Sequence, residues 1–124
     1  MAQVLGVGGI FFKAKDGTAL RDWYKRVLGL DFADWGGVVF RPEPMAAQPG
    51  AATVFCTFNA DTDYFDKAFM INLVVDDLDG VLLRAADAGV TPTKLQKGEA
   101  NGDFAHIVDP ESNKVELWQP KPMA

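Results

Sequence analysis

The only histidine of the chain, His106, stands ten residues before a glutamate, Glu116, with the run Asp109-Pro110-Glu111-Ser112-Asn113 between them. Proline and small polar residues set between two apolar stretches mark a hairpin turn. With the loop centred on Glu111, positions equidistant from it face each other across the ladder. His106 then opposes Glu116 and Phe104 opposes Trp118 on one face, while Ile107–Val115 and Ala105–Leu117 occupy the other. An imidazole against a carboxylate is the pairing of a general base with the group that orients it, because histidine titrates near neutrality and the carboxylate fixes its tautomer. The same pair also serves as an ordinary ion pair. Phe104 and Trp118 beside it give the mixture that lines ligand cavities, large aromatics with a few polar groups, although a dimer partner would cover them equally well.

The hairpin needs a scaffold, and the chain supplies a repeated one. Val7-Gly8-Gly9-Ile10-Phe11-Phe12 is short, apolar and β-prone. Asp16 follows as an N-cap, then Leu20, Trp23, Tyr24, Val27 and Leu28 recur at helical spacing, and Gly29 closes the helix. Phe32–Trp35 and Val38–Phe40 read as strands joined through Gly36-Gly37, and a Pro-, Ala- and Gly-rich loop (42–50) leads to a strand over Thr53–Phe58. The second half repeats the plan: a strand over Phe69–Val75, Asp76-Asp77, a helix with Leu78, Val81, Leu82, Ala85 and Ala86 on one face, Gly89, then strands near Thr91–Leu95, Asp103–Val108 and Lys114–Gln119. The interval from Asp to Gly is 13 residues in both halves, Asp16 to Gly29 and Asp76 to Gly89. Self-similarity at a period of about sixty residues is internal duplication. The polar run Asn59–Asp63 separates a first unit at about 4–59 from a second at about 67–120. Neither unit buries a sheet face alone, so both belong to one domain spanning 1–124.

Composition narrows the function classes. At 124 residues, 48 % apolar and 23 % charged, the chain has the profile of one soluble globular domain. A net charge of −5 with no Lys/Arg stripe argues against nucleic acid. A lone cysteine, Cys56, excludes an internal disulfide, and no Cys/His cluster suggests structural zinc. Met1-Ala2-Gln3-Val4 lacks the layout of a signal peptide and no apolar run is long enough for a bilayer, so a cytoplasmic protein without a membrane partner is expected.

Three pieces of the chain carry a resemblance to a known superfamily. They are Trp23-Tyr24-Lys25-Arg26-Val27-Leu28-Gly29-Leu30, the strand–Asp–helix–Ala88-Gly89-Val90 unit, and Asp109-Pro110-Glu111-Ser112-Asn113-Lys114-Val115-Glu116-Leu117. Together they resemble the vicinal oxygen chelate proteins: glyoxalase I, extradiol dioxygenases, and bleomycin- and fosfomycin-resistance proteins. The last piece departs from the family ending only in carrying Ser112 where glycine is usual. The resemblance implies an α+β, glyoxalase-like fold: two βαβββ units forming a curled mixed sheet around a central cavity, often completed by a homodimer. Family metalloenzymes take one His or Glu from each of four strands, and carried over these positions fall on Gly9, Phe55 or its neighbour, Met70 and Glu116. Glu116 alone is a ligand, and one carboxylate does not hold a divalent ion against water. Cys56 adds nothing, because strand parity points it away from the face of Phe55.

The expectation is therefore a site with no metal and no cofactor. Parity places Gly9, Phe11, Thr53, Phe55, Thr57, Met70, Asn72, Phe104, His106, Glu116 and Trp118 on the cavity side. Of these, Phe55, Met70, Asn72, Phe104, His106, Glu116 and Trp118 are the ligand-binding candidates, with His106 and Glu116 as the catalytic ones. Trp23 and Tyr24 belong to the core. Three functions follow from the resemblance. The first is metal-independent binding of a small, partly aromatic or cationic molecule, with Trp118, Phe104 and Trp35 stacking on it. The second is an enzyme working through His106 and Glu116, and the third a lyase, isomerase or dioxygenase with a rearranged metal site.

Overall fold

The computed structural model describes residues 2–123. In chain order they form α1 (Gly17–Leu28), α2 (Pro42–Ala47), β1 (Ile71–Val74), α3 (Leu78–Asp87), β2 (Lys94–Glu99), β3 (Gly102–Val108) and β4 (Lys114–Pro120). The four strands make one open, curled mixed sheet in the order β1-β4-β3-β2, with β1 parallel to β4 and the remaining pairs antiparallel.

Both long helices are specified locally. Asp16 caps α1 through its side chain, which accepts from Ala19 N at 3.0 Å, and Lys25 and Arg26 occupy the last turn, where cations suit the helix dipole. Gly29 ends the helix at φ 71°, a left-handed conformation that glycine adopts without a Cβ penalty. In α3 the cap is Asp77, one residue later than the duplication suggests, and its carboxylate accepts from Gly80 N. The equal Asp-to-Gly intervals therefore do not correspond to equal caps: α1 has 12 residues and α3 has 10.

One face of the sheet is aliphatic, and both helices lie on it. Leu20, Trp23, Tyr24 and Val27 of α1 and Leu78 and Ala85 of α3 pack with Ala105, Ile107, Val115 and Leu117 of β3 and β4 in one cluster. Ile107, Val115, Leu117 and Val27 are completely inaccessible, so truncating either of the larger two, Ile107 or Leu117, to alanine costs about 2–5 kcal/mol. The helical face expected for α1 is the buried one, whereas Ala86 of α3 is exposed.

The first half departs from expectation. Its helix is present, but 7–12, 32–35, 38–40 and 53–58 do not join a ladder. Ala33–Gly37 closes as a turn, with Ala33 N donating to Gly37 O and Gly36 N to Ala33 O. Helix α2 forms where a loop was expected; Pro42 at its first turn has no N–H to lose there. A strand exists only through its neighbours, and among the described residues these segments pair with neither outer edge of the sheet, β1 or β2. Their side chains stand in solvent accordingly: Phe11 is 93 % exposed, Phe55 89 % and Trp35 72 %.

The anchor between the two halves is the β3–β4 turn. Asp109 is buried and accepts Tyr24 Oη at 2.7 Å, the backbone N–H of Glu111 and Asn113, and Asn113 Nδ2. The Glu111 carboxylate in turn accepts the N–H groups of Lys15 and Asp16 at 2.7 and 3.0 Å, just before α1. The turn sequence thus holds both the hairpin register and the entry to the first helix.

Candidate functional site

The hairpin register places His106 opposite Glu116, and the flanking strands extend that pair into a row. Asn72 of β1 is beside Glu116 of β4, Glu116 beside His106 of β3, and His106 beside Lys94 of β2. Amide, carboxylate, imidazole and ammonium thus stand in line across all four strands, on the face away from the helices. In the next row on that face Phe104 and Trp118 lie with ring planes 4° apart and centroids 6.0 Å apart. Trp118 Nε1 donates to Asn101 O at 3.0 Å.

Glu116 is the hub. Its Oε1 accepts Asn72 Nδ2 at 2.8 Å, and its Oε2 accepts His106 Nε2 at 2.8 Å. Oε2 also accepts the hydroxyl of Tyr64, which lies 3.2 Å from His106 Nε2. Burial alone raises the pKa of Glu116, but the hydrogen bonds from Tyr64, His106 and Asn72 outweigh it and hold the carboxyl below its usual value. The same carboxylate acts on Tyr64 in the opposite sense: burial first, then the bond to Glu116, push the phenol well above its ordinary range. The result is a carboxylate that stays ionised under a phenol that stays protonated.

Tyr64 arrives from a turn segment before β1 rather than from the sheet. Its ring stacks on Phe58 at 5.8 Å and meets the His106 ring edge-on at 5.0 Å, with Lys94 Nζ 4.7 Å from its centroid. Lys114 Nζ holds its carbonyl at 2.7 Å. Beneath it His106 is 2 % exposed and Glu116 7 %. Of two surface concavities, one of about 500 Å³ lies around Lys15, Lys67 and Glu111, and one of about 270 Å³ lies around Phe65, Phe69 and Lys114, next to the Tyr64 segment.

Asn72, His106, Glu116, Phe104 and Trp118 are therefore brought together as the sequence suggested. Met70 is half-buried just ahead of β1, and Phe55 stands in solvent outside the cluster, as does Cys56. Tyr64 and Lys94 are the additions. Lys94 was open to discovery through the β2–β3 register. Tyr64 carries no periodic signal, because it follows the polar run that marks the boundary between the units.

The metal that the sequence resemblance implies does not fit these residues. Gly9 has no donor, Phe55 and Met70 offer no oxygen or nitrogen, and the carboxylate of Glu116 is already engaged by three protein donors. Among the described residues no three His, Cys, Asp or Glu side chains converge to hold a metal ion.

An open curled sheet with paired helices on one face and a polar row on the other is consistent with a glyoxalase-like fold. No family model and no curated protein matches the chain. Among solved structures it is similar to TioX from Micromonospora sp. ML1, at 16 % identity over 90 % of this chain and 93 % of that one, with a TM-score of 0.53. An integron cassette protein from V. cholerae aligns at 18 % identity over 84 % of this chain and 86 % of that one, with a TM-score of 0.49. The TioX likeness shows the fold alone. No helix among the described residues is long and apolar enough to cross a membrane.

Proposed function

We propose that this protein binds a small, partly aromatic molecule on the face carrying Asn72, Glu116, His106 and Lys94, without a metal ion. The observation that carries the reading is a buried, ionised carboxylate with an imidazole at 2.8 Å, next to a stacked Phe–Trp pair. A polar anchor beside aromatic surface is the composition of ligand sites. Lys94 over the same face favours a neutral or electron-rich aromatic over a cationic one. In this reading the cavity is completed by a second copy of the chain, the two βαβββ units (4–59 and 67–120) supplying the two walls. The exposed Phe11 and Phe55 support that arrangement, since apolar area of this kind marks a covered surface. A thermal-shift screen of aromatic neutral, aromatic cationic and non-aromatic compounds tests it. Stabilisation confined to aromatics and abolished by Glu116→Ala is expected, and a flat response across all three classes rejects it.

The His106–Glu116 hydrogen bond favours one second reading, an enzyme in which His106 is the base and Glu116 orients it. Turnover of any substrate that survives His106→Ala sinks that reading.

A further inference from the structure

Tyr64 differs in kind from the groups around it. Asn72, Glu116, His106 and Lys94 are set by ladder hydrogen bonds on four adjacent strands, so their spacing is fixed by the sheet. Tyr64 comes from a segment of turns and bends with no ladder of its own. What the sheet surrounds is a phenol: a carboxylate for the hydroxyl proton, an imidazole beside the oxygen, an edge-on ring and a cation at the ring. Each contact suits that group. An ionised acceptor makes the stronger kind of hydrogen bond to a hydroxyl, and the electron-rich ring attracts the ammonium.

We infer that the row is a phenol-binding site whose built-in occupant is Tyr64, and that the ligand of this face carries a phenolic hydroxyl that takes Tyr64's place. The inference rests on the small-molecule reading above and names its ligand class. Half-burial leaves part of Tyr64 open to solvent, so an incoming ring has an approach. Phe104, also half-buried, and Trp118 lie one row further along the same face, about 7 Å away by strand geometry. A ligand longer than the tyrosine side chain reaches the open part of Phe104, whose stacking partner Trp118 is itself buried. Such a ligand exchanges one set of phenol contacts for an equal set and adds a stacking contact.

The test uses p-cresol, which is the tyrosine side chain cut at Cβ, with toluene and benzylamine as probes lacking the hydroxyl. Each is titrated calorimetrically into wild-type protein and Tyr64→Ala. Expected is p-cresol binding to Tyr64→Ala at least about tenfold more tightly than toluene or benzylamine, and more tightly than to wild type. Adding Glu116→Gln to that variant is expected to lower p-cresol affinity by about tenfold, because the charged acceptor is lost. If toluene or benzylamine binds as well as p-cresol, the face is a small-molecule site but the phenol assignment falls. If no probe binds either protein, both fall. Should Tyr64→Ala fail to fold without ligand, Tyr64→Phe keeps the ring and removes the hydroxyl; p-cresol binding no tighter than to wild type then overturns the inference.

Discussion

At the residue scale the chain's two tyrosines do the same thing in different places: each donates a hydrogen bond from its hydroxyl to a carboxylate in a partly desolvated setting. For Tyr24, burial, then the hydrogen bond and charge of Asp109, raise the pKa far above the ordinary tyrosine value; for Tyr64, burial and Glu116 do so. A folded-state pKa above the unfolded one means that stability is complete below the unfolded value and drains away as pH rises past it. Ultraviolet absorbance of tyrosinate is therefore expected to stay flat through pH about 10, where free tyrosine titrates. It should then rise only together with the loss of secondary structure. A tyrosinate signal at about pH 10 in a chain that is still folded contradicts at least one of the two assignments, and one of full two-residue amplitude contradicts both. At this scale the sequence was legible in the β3–β4 hairpin, whereas the same parity argument failed for Gly9, Phe11, Thr53, Phe55 and Thr57, whose segments form no strand. His106, Glu116, Phe104 and Trp118 follow from one turn and an alternation of two. Tyr64 does not, because a side chain reaching from a turn segment is placed by tertiary contact and leaves no periodic trace.

The element that concentrates information is the β3–β4 hairpin. Its register was readable in full because Asp109–Asn113 leaves little freedom to the turn, and each pair it implies is present. The same residues hold α1, which the sequence alone did not reveal: helix and turn are more than eighty positions apart and meet only in the fold. Asp109→Ala removes the acceptor for Tyr24, for two backbone N–H groups and for Asn113 in a buried setting. It is expected to cost about 3 kcal/mol in urea unfolding, since stranded buried donors keep their desolvation penalty. A loss below about 1 kcal/mol would mean that water replaces the carboxylate freely. Ser112 tests the opposite direction. Its φ of 66° lies in the left-handed region, where a Cβ is unfavourable and glycine is not. Ser112→Gly is expected to raise the melting temperature by a few degrees, the gain from relieved strain exceeding the entropy cost of glycine, which is about 0.5–1 kcal/mol. An unchanged or lower value shows the serine to be unstrained.

For the molecule as a whole the asymmetry between halves is the fact to explain. The second half pairs its strands into an open sheet, and the first half forms its helix but leaves its β-prone segments unpaired. Local signals suffice for a capped helix and a tight hairpin, whereas a strand needs an edge to pair with, and the edge need not lie in the same chain. Val4, Leu5, Phe11, Val54 and Phe55 are each at least 72 % exposed. Apolar surface of this extent, carried on segments with unpaired backbone, is what strand exchange between copies covers. Sedimentation equilibrium is accordingly expected to show a dimer, with a melting temperature that rises with protein concentration because association is linked to folding. Phe11→Asp with Phe55→Asp should shift the mass to a monomer while the hydrogen-exchange protection of β3 and β4 persists, since Ile107 and Leu117 are buried within the chain. In the wild type, amides of 7–12 and 53–58 should be protected at concentrations where the dimer dominates and exchange freely on dilution. A wild-type monomer at all concentrations, with those amides unprotected, removes the second copy from the site. The wall opposite His106 and Glu116 would then have to come from the chain's own first half.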